Sequence, residues 1–127
     1  MNRNLSKAEW EIMSALWEQP NQPISGIIKS IGEKLDWKYT TFATYIKRME
    51  NKGFIGSKRA GRDKLYYAAV DKQQCILNET QEVLSKIDAD STADFLLYMV
   101  RDSALDQSDK ADLMELLDKL RKEGGSQ

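Results

Sequence analysis

Residues 37–53 read Trp37-Lys38-Tyr39-Thr40-Thr41-Phe42-Ala43-Thr44-Tyr45-Ile46-Lys47-Arg48-Met49-Glu50-Asn51-Lys52-Gly53. On helical spacing Phe42, Tyr45, Ile46 and Met49 fall at i, i+3, i+4 and i+7, a single apolar stripe that faces a core. The other side carries Thr40, Thr41, Ala43, Thr44, Lys47, Arg48 and Asn51, with Glu50 as its only acid. Small hydroxyls near the N-terminal end and cations further along suit base edges and phosphates. The pattern predicts a DNA-recognition helix, closed by Gly53 at the C′ position.

The segments on either side supply a scaffold for such a helix. Ser6-Lys7-Ala8-Glu9 has the S-x-x-E form of a capping box and opens a first helix. Ala8, Ile12, Ala15 and Leu16 form its stripe, flanked by Trp10, Met13 and Trp17, until Pro20 and Pro23 stop it. Core or core-rim packing is the expectation for both tryptophans, ahead of ligand stacking. Residues 24–35 read as a second helix faced by Ile24, Ile27, Ile28, Ile31 and Leu35, with Gly26 and Gly32 weakening its ends. Beyond Gly53, residues 54–58 and 64–70 look like strands around the turn-forming run Arg59-Ala60-Gly61-Arg62-Asp63. The prediction is a mainly α chain: a winged helix-turn-helix of three helices plus a two- or three-stranded wing, followed by a helical region. Arg59, Arg62 and Lys64, with Lys58 beside them, would meet phosphates; a solvated charged turn is the plainer alternative.

Composition changes at Asp71. Residues 1–72 hold 13 Lys+Arg against 8 Asp+Glu and residues 73–127 hold 6 against 12, so the halves carry about +5 and −6. A DNA-facing domain over 1–71 and a helical dimerisation domain over 72–127 are expected. The second half reads as a helix from Asp71 to about Ile87 with Ile76, Val83, Leu84 and Ile87 on its face, another from Ser91 through Arg101, and a third from Ser108 to Glu123, ended by Gly124-Gly125. Leu113, Leu116, Leu117 and Leu120 make a stripe on the last of these, and Phe95, Leu96 and Met99 lie on the one before. About 53 residues in three short helices bury little by themselves, so these side chains are expected to pack on a second copy. Packing back onto the N-terminal domain is the alternative.

A chain of 127 residues with 41% hydrophobic content can build a folded core, and its net charge of −1 says nothing for or against nucleic acid. Cys75 is the sole cysteine and histidine is absent, which rules out an internal disulfide, a cysteine-built metal site and imidazole acid/base work. With no glycine-rich phosphate loop either, neither an enzyme nor a bound cofactor is expected. Residues 1–5 carry no apolar leader run, and the longest apolar cluster, residues 95–100, is too short for a bilayer, so the expected location is the cytoplasm, with no membrane contact.

Matched residue by residue, Tyr39-Thr40-Thr41-Phe42-Ala43-Thr44, Lys47-Arg48-Met49, Lys52-Gly53-Phe54-Ile55, Gly61-Arg62 and Tyr66-Tyr67-Ala68 resemble the penicillinase repressor family of bacterial transcription regulators. Leu5-Ser6-Lys7-Ala8-Glu9-Trp10-Glu11-Ile12-Met13 with Leu16-Trp17 resembles that family's first helix. The likeness covers residues 5–70 and continues in length and helix count through 123. It implies a homodimeric winged helix-turn-helix repressor that binds an inverted-repeat operator in double-stranded DNA through residues 39–52 and a basic wing. Carried over by position, Tyr39, Thr40, Thr41, Ala43 and Thr44 enter the major groove, while Lys47 and Arg48 lie toward the backbone. Arg48 pairing with an acid of its own domain is the alternative.

Two departures stand out. Lys38 replaces the Ser or Thr that members carry before the aromatic residue, so the helix cap is lost or shifts to Thr40, and Lys38 gains a phosphate contact. Antibiotic-resistance members are cleaved at an Asn-Phe bond after a membrane sensor protease signals; the pair here is Met99-Val100, so that cleavage does not carry over. Copper-responsive relatives use Cys-x-Cys pairs near the C-terminus, and residues 108–127 hold no cysteine. The competing class is a winged-helix protein-interaction module without sequence-specific DNA binding, which would show apolar or acidic residues where 40–51 shows hydroxyls and cations.

Overall fold

Ser6 closes the N-terminal end of α1 (Lys7–Glu18): its Oγ accepts from the Glu9 amide at 3.2 Å and Glu9 Oε1 accepts from the Ser6 amide at 2.9 Å. The computed structural model describes residues 4–125; Met1, Asn2 and Arg3 of the N-terminal run lie outside them, as do Ser126 and Gln127. Ile12, Met13, Ala15 and Leu16 are buried, which puts Met13 at the centre of the helix face where a flank was expected. Trp17 packs at the core rim and donates its indole N–H to the Val70 carbonyl at 3.0 Å, with Trp10 set edge-on to it. This is the packing role expected of it.

After α1 the chain reverses at Asn21, whose φ of 61° is tolerated because a short polar side chain suffers least in the left-handed region. Gln22 then exchanges two backbone hydrogen bonds with Tyr66, while its buried amide donates to the carbonyls of Ala15 and Gln19. Next, α2 covers Ile24–Ile31, four residues shorter than the periodicity suggests. Gly32 follows, a residue with a high helix cost, and the amides of Lys34 and Leu35 turn back onto the Ile31 carbonyl. Leu35 still packs against the core from that turn.

The third helix, α3, spans Tyr39–Asn51 and buries Phe42, Ile46 and Met49 completely. It ends as the glycine requires: Gly53 has φ 90°, its amide donates to the Glu50 carbonyl at 3.1 Å, and the Phe54 amide donates to Met49 at 3.0 Å, the paired bonds of a Schellman motif. Strands β1 (Ile55–Ala60) and β2 (Asp63–Ala68) pair antiparallel from Ile55↔Ala68 to Ala60↔Asp63. The hairpin is tighter than the five-residue turn expected, because Gly61 at φ 67° permits a two-residue loop with Arg62. Arg59 and Lys64 therefore sit opposite each other in strands. The sheet is two-stranded, with Gln22 adding a single bridge. One core, from α1, α2, α3, Phe54, Ile55 and Tyr66, holds this winged helix-turn-helix together.

Three helices complete the chain: α4 (Lys72–Lys86), α5 (Ala89–Asp102) and α6 (Gln107–Gly125). Both of the last two start earlier than Ser91 and Ser108. The Asp88 carboxylate accepts from the Ser91 amide at 2.7 Å, and Asp106 accepts from the Asp109 amide at 2.8 Å, so aspartates serve as the caps. The chain divides into two compact units, Met1–Thr80 and Gln81–Gln127, and the division falls inside α4, beyond the composition change at Asp71. Its first half is anchored in the first unit: Cys75 is buried, and Glu79 accepts from the Leu5 amide at 3.3 Å. In the second unit α5 lies against α6, and among the described residues none there is buried.

Candidate nucleic-acid interface

The apolar stripe of α3 locks into the core, so its other side must face outward. Thr40, Thr44, Lys47, Arg48 and Asn51 are exposed, Tyr39 is 59% exposed, and Thr41 and Ala43 are half-buried. Thr40, Thr41, Thr44, Tyr45 and Arg48 line a shallow depression on this surface. The Thr44 hydroxyl donates to the Thr40 carbonyl at 2.8 Å, which leaves its methyl group and its oxygen lone pairs to meet a partner. That chemistry matches a thymine methyl or a base amino group.

Lys38 is the N-cap and makes no side-chain capping bond, and the helix begins at Tyr39, so the cap is lost and does not move to Thr40. The Thr41 and Phe42 amides bond back to the Lys38 carbonyl. Uncapped first-turn amides, the positive end of the helix dipole and the exposed Lys38 ammonium together favour an anion. Arg48 lies over the Tyr45 ring at 5.8 Å, and Tyr45 is stacked on Trp37 with ring centroids 4.3 Å apart. The aromatic pair thereby orients the guanidinium, and among the described residues Arg48 makes no ion pair with an acid.

Alternation along the hairpin sorts the wing cations. Ile55, Ser57 and Arg59 share one face with their partners Ala68, Tyr66 and Lys64, and Lys58 falls on the opposite face. Lys58 borders a groove lined with Trp17 and Tyr67. Arg59 and Arg62 are exposed and have no carboxylate partner among the described residues. Lys64 differs: its Nζ lies 3.5 Å from Glu50 Oε1 and 5.3 Å above the Tyr66 ring. The acid on α3 that looked outward in the sequence is thus half-buried against the wing, where its Oε2 also accepts from the Ser57 hydroxyl. The role of Glu50 is not legible in the sequence, since nothing in its own helix reveals which strand lies across from it.

In the second unit Phe95 and Leu117 are half-buried, whereas Leu96, Met99, Leu113, Leu116 and Leu120 are exposed. Leu97 and Met114, absent from the expected set, border the same groove between α5 and α6 as Leu96, Leu117 and Leu120. No helix among the described residues is long and apolar enough to cross a membrane.

Comparison with known proteins agrees with this geometry. The chain is 28% identical over 115 residues to the methicillin resistance regulatory protein MecI of Staphylococcus aureus, covering 91% of this chain and 94% of the relative. It is 21% identical over 114 residues to the penicillinase repressor of Bacillus licheniformis, covering 90% and 89%. Among solved structures, the monomeric form of Bacillus licheniformis BlaI in complex with the blaP half-operator aligns with a TM-score of 0.50 at 26% identity, over 55% of this chain and 85% of that one. Residues 5–119 match the penicillinase repressor family as a whole, and the chain belongs to that family.

Proposed function

We propose that this chain is a homodimeric DNA-binding transcriptional repressor, not an enzyme, that reads an inverted-repeat operator through α3 and a basic wing. The observation that carries the reading is the outer face of α3, where exposed threonines and cations with no acidic partner among the described residues stand on a helix whose other face buries Phe42, Ile46 and Met49. Family membership and the half-operator complex of the Bacillus licheniformis relative support it. Tyr39, Thr40, Thr41, Ala43 and Thr44 read bases; Lys38, Lys47, Arg48, Arg59 and Arg62 hold phosphates. Lys64 reaches the backbone only by sharing itself with Glu50. Residues 1–71 form the DNA-binding part, and from residue 72 on the chain dimerises through Phe95, Leu96, Met99, Leu113, Leu116, Leu117 and Leu120. Two such copies present two recognition helices, which an inverted repeat matches. The setting is the cytoplasm, and a membrane sensor protease is the upstream partner that the family relationship suggests.

Thr44→Glu tests the assignment. Thr44 is exposed, so the fold survives, but an anion is placed against phosphates and base edges. Gel shift on the region upstream of its own gene is expected to show a loss of about ten- to hundredfold, corresponding to roughly 1–3 kcal/mol. Wild-type affinity in this variant would sink the reading.

A further inference from the structure

Glu50 is the single acid of α3, and it bridges that helix to both strands of the wing: Ser57 Oγ on β1 donates to Oε2, and Lys64 Nζ on β2 lies 3.5 Å from Oε1. Among the described residues, the hydrogen bonds and ion pairs that join α3 to the hairpin all end on this carboxylate. Core contacts fix the base of the hairpin, through Ile55, Tyr66 and Ala68. From Lys58 outward to the Gly61-Arg62 tip the strands leave the core, as their rising exposure shows. Arg59 and Lys64, two like charges directly across from each other, would push this outer part apart without a counter-charge. Glu50 supplies one on the face that looks toward α3.

We propose that Glu50 is a positioning residue that sets the wing against the recognition helix, so that Arg59 and Arg62 engage the DNA backbone together with Lys47 and Arg48. The proposal rests on the DNA-binding reading above. It makes a prediction of unusual sign, because a carboxylate next to a polyanion is repelled by it. If Glu50 acted through its charge alone, removing it would free Lys64 and tighten binding. A positioning role predicts the reverse.

The test uses the full chain and a duplex carrying the region upstream of its own gene, with affinity measured by fluorescence anisotropy over a range of potassium chloride concentrations. Glu50→Ala is expected to weaken binding roughly tenfold and to flatten the plot of log affinity against log salt by about one to two, since each lost phosphate contact removes about 0.9 from the slope. Glu50→Gln, which still accepts from Ser57, recovers most of the loss. Equal or tighter binding by Glu50→Ala overturns the proposal, as does a loss of affinity with an unchanged slope. Circular dichroism shows whether Glu50→Ala is folded; if it is not, Ser57→Ala, which removes one arm of the bridge without altering charge, is judged by the same two criteria. Failure of the DNA reading is a separate result: there, wild type does not bind the duplex, or Thr44→Glu binds as wild type does.

Discussion

Cys75 shows how one residue reports on the boundary inside α4. It is 3% exposed, and burial first, then the nearby carboxylates of Asp71 and Glu79, push its thiol above the usual range. The folded chain therefore prefers the neutral thiol. Its contribution to stability is complete below the ordinary thiol range and is lost as pH rises through the raised value. Urea unfolding from neutral to alkaline pH should show wild type losing more stability than Cys75→Ala, and iodoacetamide should label the native thiol far more slowly than the unfolded one. Equal slopes with pH would mean that the thiol is not held neutral by the fold. Thr44 belongs to the same scale: its internal hydrogen bond to the Thr40 carbonyl occupies the hydroxyl proton and leaves the methyl group and oxygen lone pairs on the exposed face.

Among the elements, α3 depends most on how it stops. A Cβ built on Gly53 meets nothing within 4 Å, so substitution there is penalised by the backbone alone. Gly53→Ala should cost about 1–2 kcal/mol, the penalty of an L-residue in the left-handed region, read as a lower urea midpoint with an unchanged m-value. A neutral result would show that the Schellman turn does not need φ 90° there. The wing depends instead on what lies across from it. Its two-residue loop follows from Gly61, but the like-charged Arg59↔Lys64 pair is tolerable because Glu50 faces Lys64.

At the scale of the molecule, the second unit exposes more apolar surface than two packed helices require. Leu116 is 54% exposed and Leu120 57%, with Met99 and Leu96 also open. Patches of this kind mark association surfaces. Leu116 is exposed in the single chain, so on the proposed dimer Leu116→Asp should leave the helices formed while shifting sedimentation velocity to monomers and weakening operator binding. A variant that stays dimeric argues against this face.

Much of this was legible in the linear sequence. The capping box at Ser6, the stripe of Phe42, Ile46 and Met49, the glycine stop at Gly53 and the hairpin all follow from spacing and from the conformational limits of single residues, which travel with the chain. The aspartate caps at Asp88 and Asp106 are not legible in the same way, because Ser91, three residues on, and Ser108, two residues on, satisfy the same pattern, and only backbone geometry chooses between them. The end of α2 is hidden for a related reason: Leu35 keeps its core contact from a turn, so the apolar periodicity runs on past the last helical residue, Ile31. Sequence by itself thus determined which faces are apolar, where the chain turns and which side of residues 37–53 is free. Tertiary structure alone decided that Glu50 turns to the wing and that Lys64 is paired while Arg59 and Arg62 are exposed. A long polar side chain whose partner lies on another element takes its direction from that element, and no local rule encodes that neighbour.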